Sequence, residues 1–117
     1  MANTHKELVV WQKSMHLARL VYRYTTSFPK EELYGITSQM RRAVVSIPSN
    51  IAEGHGRSSK KELVHFLFVS LGSASELETQ LILSQQLGFL PQEQFDELNN
   101  LNNEVLKMLS ALIRTNN

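Results

Sequence analysis

One apolar phase constrains this sequence more than any other feature. Leu33, Ile36, Met40, Ala43, Val44, Ile47 and Ile51 recur at helical spacing for five turns, and the phase passes straight through Pro48. A repeat of this kind marks a helix with one buried face. A proline inside it deletes the hydrogen bond to the Val44 carbonyl and crowds that oxygen, at a cost of about 3 kcal/mol. The spacing predicts a helix that begins near Lys30 to Leu33, with Glu31 and Glu32 in its first turn, and is kinked near Pro48. Ser46, Ser49 and Asn50 supply short polar side chains around the freed carbonyl. The alternative is a helix that ends near Ser46 and restarts at Ser49. Gly54 and Gly56 mark the stop, because glycine takes the left-handed conformation of a C-cap.

Three more helices follow from the same logic. Val10, Leu17, Val21 and Tyr24 form one stripe of a first helix over about Leu8 to Thr26. Trp11, Met15, Ala18 and Tyr22 form a second stripe on another side, so this helix needs two partners, within its own fold or from another subunit. Phe28-Pro29 ends it. Ser59-x-x-Glu62 fits a capping box and opens a third helix over about Lys60 to Leu87, with Leu63, Leu67, Ala74, Leu77 and Leu81 inward. Its middle, from Ser70 to Ser75, is small, which suggests another backbone approaching closely. Gly88 caps it. Pro91 opens a fourth helix to about Arg114, with Phe95, Leu98, Leu101, Val105, Met108 and Leu112 in the core; Leu106, Leu109 and Ile113 widen the stripe, and the tail from Thr115 frays. The reading is all-α: residues 1–117 as one antiparallel up-down-up-down four-helix bundle.

Chemistry is harder to find. The chain has no cysteine, which excludes disulfides and thiolate metal sites. His5, His16, His55 and His65 offer no pair four apart on a helix, and Glu76 and Glu78 project about 200° apart. Gly54-x-Gly56 alone is no phosphate loop. These absences predict no enzyme, no cofactor and no metal. Residues 1–7 are polar and no run approaches the ~20 apolar residues of a membrane span, so the expected location is the cytoplasm.

Charge is the one positive signal. Net charge is +1, yet residues 1–61 hold ten Lys/Arg against four Asp/Glu (+6), and residues 62–117 hold two against seven (−5). Arg19, Arg23, Arg41, Arg42, Arg57, Lys60 and Lys61 are the candidate nucleic-acid contacts, gaining strength if several copies line one surface. The competing reading is that these cations solvate a loop or pair with Glu53 and the acids of the last two helices. No aromatic is interleaved with them to stack bases.

A resemblance adds to this. Val10-Trp11-Gln12-Lys13-Ser14, Phe28-Pro29-x-x-Glu32-x-Tyr34-Gly35, Gln39-x-Arg41-Arg42-Ala43, the run Ser46-Ile47-Pro48-Ser49-Asn50-Ile51-Ala52-Glu53-Gly54, and Gly72-Ser73-Ala74-x-Glu76-Leu77-Glu78-x-Gln80 resemble the four-helix-bundle proteins encoded in intervening sequences of bacterial 23S ribosomal RNA genes. That family is similar to the accessory variability protein of diversity-generating retroelements, a barrel-like homopentamer that binds nucleic acid and a reverse transcriptase. The resemblance implies a homopentamer that uses the stripe Trp11, Met15, Ala18 and Tyr22 as its oligomer interface. It also implies association with RNA or DNA. A scaffold that holds a partner enzyme without touching nucleic acid is the second functional reading.

Overall fold

The computed structural model describes residues 4–117; Met1, Ala2 and Asn3, read above as part of a polar N-terminus, lie outside the described residues. Four helices build the molecule: α1 (Val9–Thr25), α2 (Ile36–His55), α3 (Lys60–Gln86) and α4 (Gln92–Asn116). Short 3-10 turns at His5–Glu7 and Lys30–Glu32 precede α1 and α2. Each helix packs on its sequence neighbours and α4 closes on α1, which makes a square array 43 Å long. Consecutive helices joined by short links run antiparallel, so the up-down-up-down bundle stands.

The second helix starts later than its apolar phase. After the Lys30–Glu32 turn the chain bends at Gly35, and the Glu32 carboxylate accepts from the Ile36 N–H at 3.4 Å. Leu33 falls before that bend and is 46% exposed, while Ile36 to Ile51 of the phase are buried. Pro48 is buried mid-helix and does not end α2, which excludes the split-helix alternative. The nearby polar bonds fall on other carbonyls than expected. Asn50 Nδ2 donates to the Ser46 carbonyl at 2.8 Å and to Ser46 Oγ at 2.9 Å, and Ser70 Oγ of α3 donates to the Ile47 carbonyl at 2.9 Å.

The glycine stop also works differently. Gly54 lies inside α2 and buried; a Cβ there would stand 2.9 Å from Phe66 Cβ and 3.2 Å from the Leu63 carbonyl of α3. Gly56 is the cap residue, with φ −81° and its N–H on the Ala52 carbonyl, so neither glycine is left-handed. Gly88, at φ +79°, is the left-handed cap after α3. Half of the capping box forms: Ser59 Oγ accepts from the Glu62 N–H at 3.1 Å, but the Glu62 carboxylate accepts from the Ser59 hydroxyl at 3.3 Å and not from the Ser59 amide.

Packing departs from the sequence expectation on α1 and α4. Tyr24 is only half-buried, because its hydroxyl reaches the Glu97 carboxylate of α4. On α4 the buried line is Leu98, Asn102, Val105, Leu109 and Ile113, while Phe95, Leu101, Met108 and Leu112 flank it. Asn102 hid that phase: a fully buried amide replaces the expected leucine and donates to the Ala74 carbonyl at 3.0 Å. The helix also continues through Thr115, where a frayed tail was expected; Thr115 Oγ1 and Asn116 Nδ2 both donate to the Leu112 carbonyl. Phe28 and Phe89, from the α1–α2 and α3–α4 links, meet at 5.7 Å and close one end. Among the described residues no helix is long and apolar enough to cross a membrane.

Two outcomes follow from these contacts. Gly54→Ala gains about 1 kcal/mol of helix propensity but drives a methyl into a backbone-anchored Cβ, so it should lower stability by about 1–2 kcal/mol in urea unfolding. The Glu97 hydrogen bond, then burial, raise the Tyr24 pKa above its ordinary value, whereas Arg23 opposes the shift. The folded state therefore favours neutral Tyr24, and that stabilisation persists at lower pH and is lost as pH rises through the raised pKa. An ultraviolet absorbance titration should show a late tyrosinate step that Tyr24→Phe removes.

Candidate functional site

The second stripe of α1 faces the outer flank of α2. Trp11, Met15 and Ala18 are half-buried there and join Val45, Pro48 and Ala52 in an apolar groove of about 390 Å³. His5, from the turn before α1, stands edge-on to Trp11 at 5.2 Å and closes one end. Tyr22 is 44% exposed, and the Arg41 guanidinium covers its ring at 4.8 Å. The stripe thus finds part of its second partner inside the subunit, while the groove itself stays open.

The seven candidate cations do not form one patch. Arg41 and Arg42 sit near the start of α2 and Arg57, Lys60 and Lys61 beyond its end; the 15 residues from Arg42 to Arg57 span about 22 Å of helix. Arg19 and Arg23 lie on the exposed ridge of α1. Two of the seven are held by neighbours. Arg41 Nε donates to Thr25 Oγ1 at 3.0 Å, besides covering Tyr22. Arg57 lies 2.8 Å from Glu53 and 3.7 Å from Glu62, over the Phe66 ring. Glu53 therefore pairs with Arg57, not with Arg41 or Arg42. Arg19, Arg23, Arg42, Lys60 and Lys61 enter no ion pair among the described residues.

Between α2 and α3 runs a polar groove of about 260 Å³ lined by Gln39, Arg42, Ser46, Ser73 and Glu76. Ser73 Oγ donates to Ser46 Oγ at 2.8 Å across it. No group of three or more His, Asp or Glu side chains among the described residues is arranged to hold a metal.

One surface escaped the sequence reading. The outer face of α3 presents Phe68, Gly72, Ser75, Thr79 and Ile82, with Val69, Leu83 and Leu87 beside them, all exposed. Their 4, 3, 4, 3 spacing is a heptad seam. It was hidden because the opposite face of the same helix carries the core leucines, so the small residues from Ser70 to Ser75 read as one cluster. The structure separates them. Ser70, Ser73 and Ala74 meet α2 and α4, whereas a Cβ on Gly72 would meet nothing within 4 Å.

Residues 6–111 match the family described as 23S rRNA-intervening sequence protein. The chain belongs to that family. A solved relative is a protein of unknown function from the S23 ribosomal protein family of Bacteroides thetaiotaomicron, which superposes with a TM-score of 0.82 at 29% identity over 91% of this chain and 96% of its own. None of the curated proteins matches. The Ser46-to-Gly54 run lies within the matched span, and it holds the α2–α3 seam of this family member: the Ser46 hydroxyl and the Ile47 carbonyl accept hydrogen bonds from α3, and Gly54 allows close approach.

The division between held and unpaired cations predicts unequal substitutions. Arg57→Ala loses an exposed i, i+4 pair and a ring contact, about 1 kcal/mol together. Arg42→Ala should stay within about 0.5 kcal/mol of the parent. Thermal melts at one chain concentration check both.

Proposed function

We propose that this family member is a non-enzymatic accessory protein of the cytoplasm that assembles with itself and holds RNA or DNA on a basic surface multiplied by assembly. A ring of five copies is the proposed assembly, and no cofactor takes part. The observation that carries the reading is that α1 and α2, the helices that enclose an open apolar groove, carry unpaired cations on their exposed faces: Arg19 and Arg23 on α1, and Arg42 on α2, where it lines the neighbouring polar groove toward α3. A groove of that kind favours burial against protein, and burial there sets cations of successive copies side by side. Lys60 and Lys61 add a second basic level about 22 Å further along the bundle. The family's description ties its members to intervening sequences of 23S rRNA, which makes RNA the first ligand to try.

The cations act as point contacts to phosphate, so affinity should fall steeply with salt. Each phosphate contact removed lowers the log–log slope by roughly 0.7 for single strands and 0.9 for duplex. Arg19→Ala, Arg23→Ala and Arg42→Ala together should cut that slope by about 2 for single strands and nearly 3 for duplex, and weaken binding across unrelated sequences. Arg41 and Arg57 are left intact in this test, since the fold uses both. Binding that ignores the three substitutions removes the reading. The separation of the cations into two groups favours the second one, a scaffold for a partner enzyme, and capture of that enzyme insensitive to nuclease would select it.

A further inference from the structure

The outer seam of α3 has no use inside the subunit. Phe68 is 52% and Leu83 45% exposed, some 22 Å apart along the axis, with Gly72, Ser75 and Thr79 between them. A glycine in a helix interior costs about 1 kcal/mol relative to alanine, and the space beside Gly72 is open. The fold therefore bears this cost with no return within the chain, whereas a second backbone packed on the seam would need the small residues.

We infer that the α3 ridge of one copy seats in the α1–α2 groove of the next, a head-to-tail contact that covers both apolar faces at once. The inference rests on the homo-oligomeric reading above and assigns its second surface. Shape is one argument: the ridge is convex and heptad-spaced, and the groove is a concave apolar channel floored by Ala18, Pro48 and Ala52. Charge is the other. From Phe68 to Leu87 the ridge helix carries Glu76 and Glu78 and no cation. Within the subunit Glu104 takes Lys13 of α1, Thr25 and Tyr22 hold Arg41, and Glu53 pairs with Arg57, which leaves Arg19 and Arg23 of α1 and Arg42 of α2 as unpaired cations on the two groove helices. Unlike faces of opposite charge favour each other over themselves. A heterologous contact closes into a ring when its rotation allows.

Complementation tests this without knowing the register. Phe68→Glu with Leu83→Glu breaks the ridge and leaves the groove; Val45→Glu breaks the groove and leaves the ridge. All three positions are exposed in the subunit, so helical circular dichroism should not change. By light scattering each variant alone should fall to the single-chain mass of 13.4 kDa. Mixed in equal amounts they retain one good ridge and one good groove, and should form a dimer and nothing larger. If the Val45→Glu chain dimerises alone, the ridge pairs with itself and the inference falls. If both variants keep the parent's multimeric mass, the subunits meet elsewhere and the inference falls while the oligomer stands. A parent chain at 13.4 kDa at micromolar concentration would remove the homo-oligomer and the inference together.

Discussion

The seam between α2 and α3 decides where every surface of this molecule lies. Gly54 lets Phe66 and Leu63 come against the α2 backbone, Ser70 donates to the Ile47 carbonyl, and Ser73 donates to Ser46. Each such bond contributes only about 1 kcal/mol net, yet a buried group left without its partner loses more, so the set acts as an axial lock. Sliding α3 by one residue, about 1.5 Å, would break all of them at once. The lock sits at the level of Pro48, where α2 has lost a backbone bond. Packing on both flanks there keeps the helix going across the gap.

With that register fixed, the exposed side of α2 is fixed too. Arg42 and Ser49 point outward, and Val45 and Pro48 turn toward α1 and complete the groove with Trp11 and Met15. The run from Ser46 to Gly54, which carries the family resemblance, is thus spent on architecture. Ser46, Asn50 and Gly54 are held by helix backbones and neighbouring side chains, while Ser49 faces outward at the groove.

Helix number, order and most of the core were legible because each rests on a local rule: a 3.6-residue phase, a proline or glycine break, a serine cap. Misplacements occurred where a polar side chain took part in packing. Asn102 holds a buried position by bonding the Ala74 carbonyl, so the inward line of α4 runs through an amide that hydrophobicity cannot find. Tyr24 leaves the core for Glu97 on a helix some 70 residues away, and the sequence contains no sign of that partner. The candidate site was less legible. Charge type and position could be read, but not that Arg41 would lie on Tyr22 or that Arg57 would take Glu53, because such pairings depend on the angle at which two helices meet. The α3 ridge failed for a different reason: a helix apolar on opposite faces shows weak periodicity, so its outer seam dissolved into the core pattern.

Assembly and charge constrain each other in this chain. Copies that met through like faces would bring the basic halves together, and the repulsion would grow with every cation gathered. The proposed head-to-tail contact would set the basic flank of one subunit against the acidic helix of the next, so a ring built this way would gather cations without opposing its own formation. That arrangement neutralises the rim of the groove and leaves the ridge of Arg19 and Arg23 and the loop end at Lys60 and Lys61 facing solvent. Nucleic acid would then be held by cations that flank the groove without lining it and by the loop end. Because a lone copy presents only scattered cations, phosphate binding on the proposed reading would be a property of the assembled state, and its apparent strength would depend on chain concentration as well as on salt.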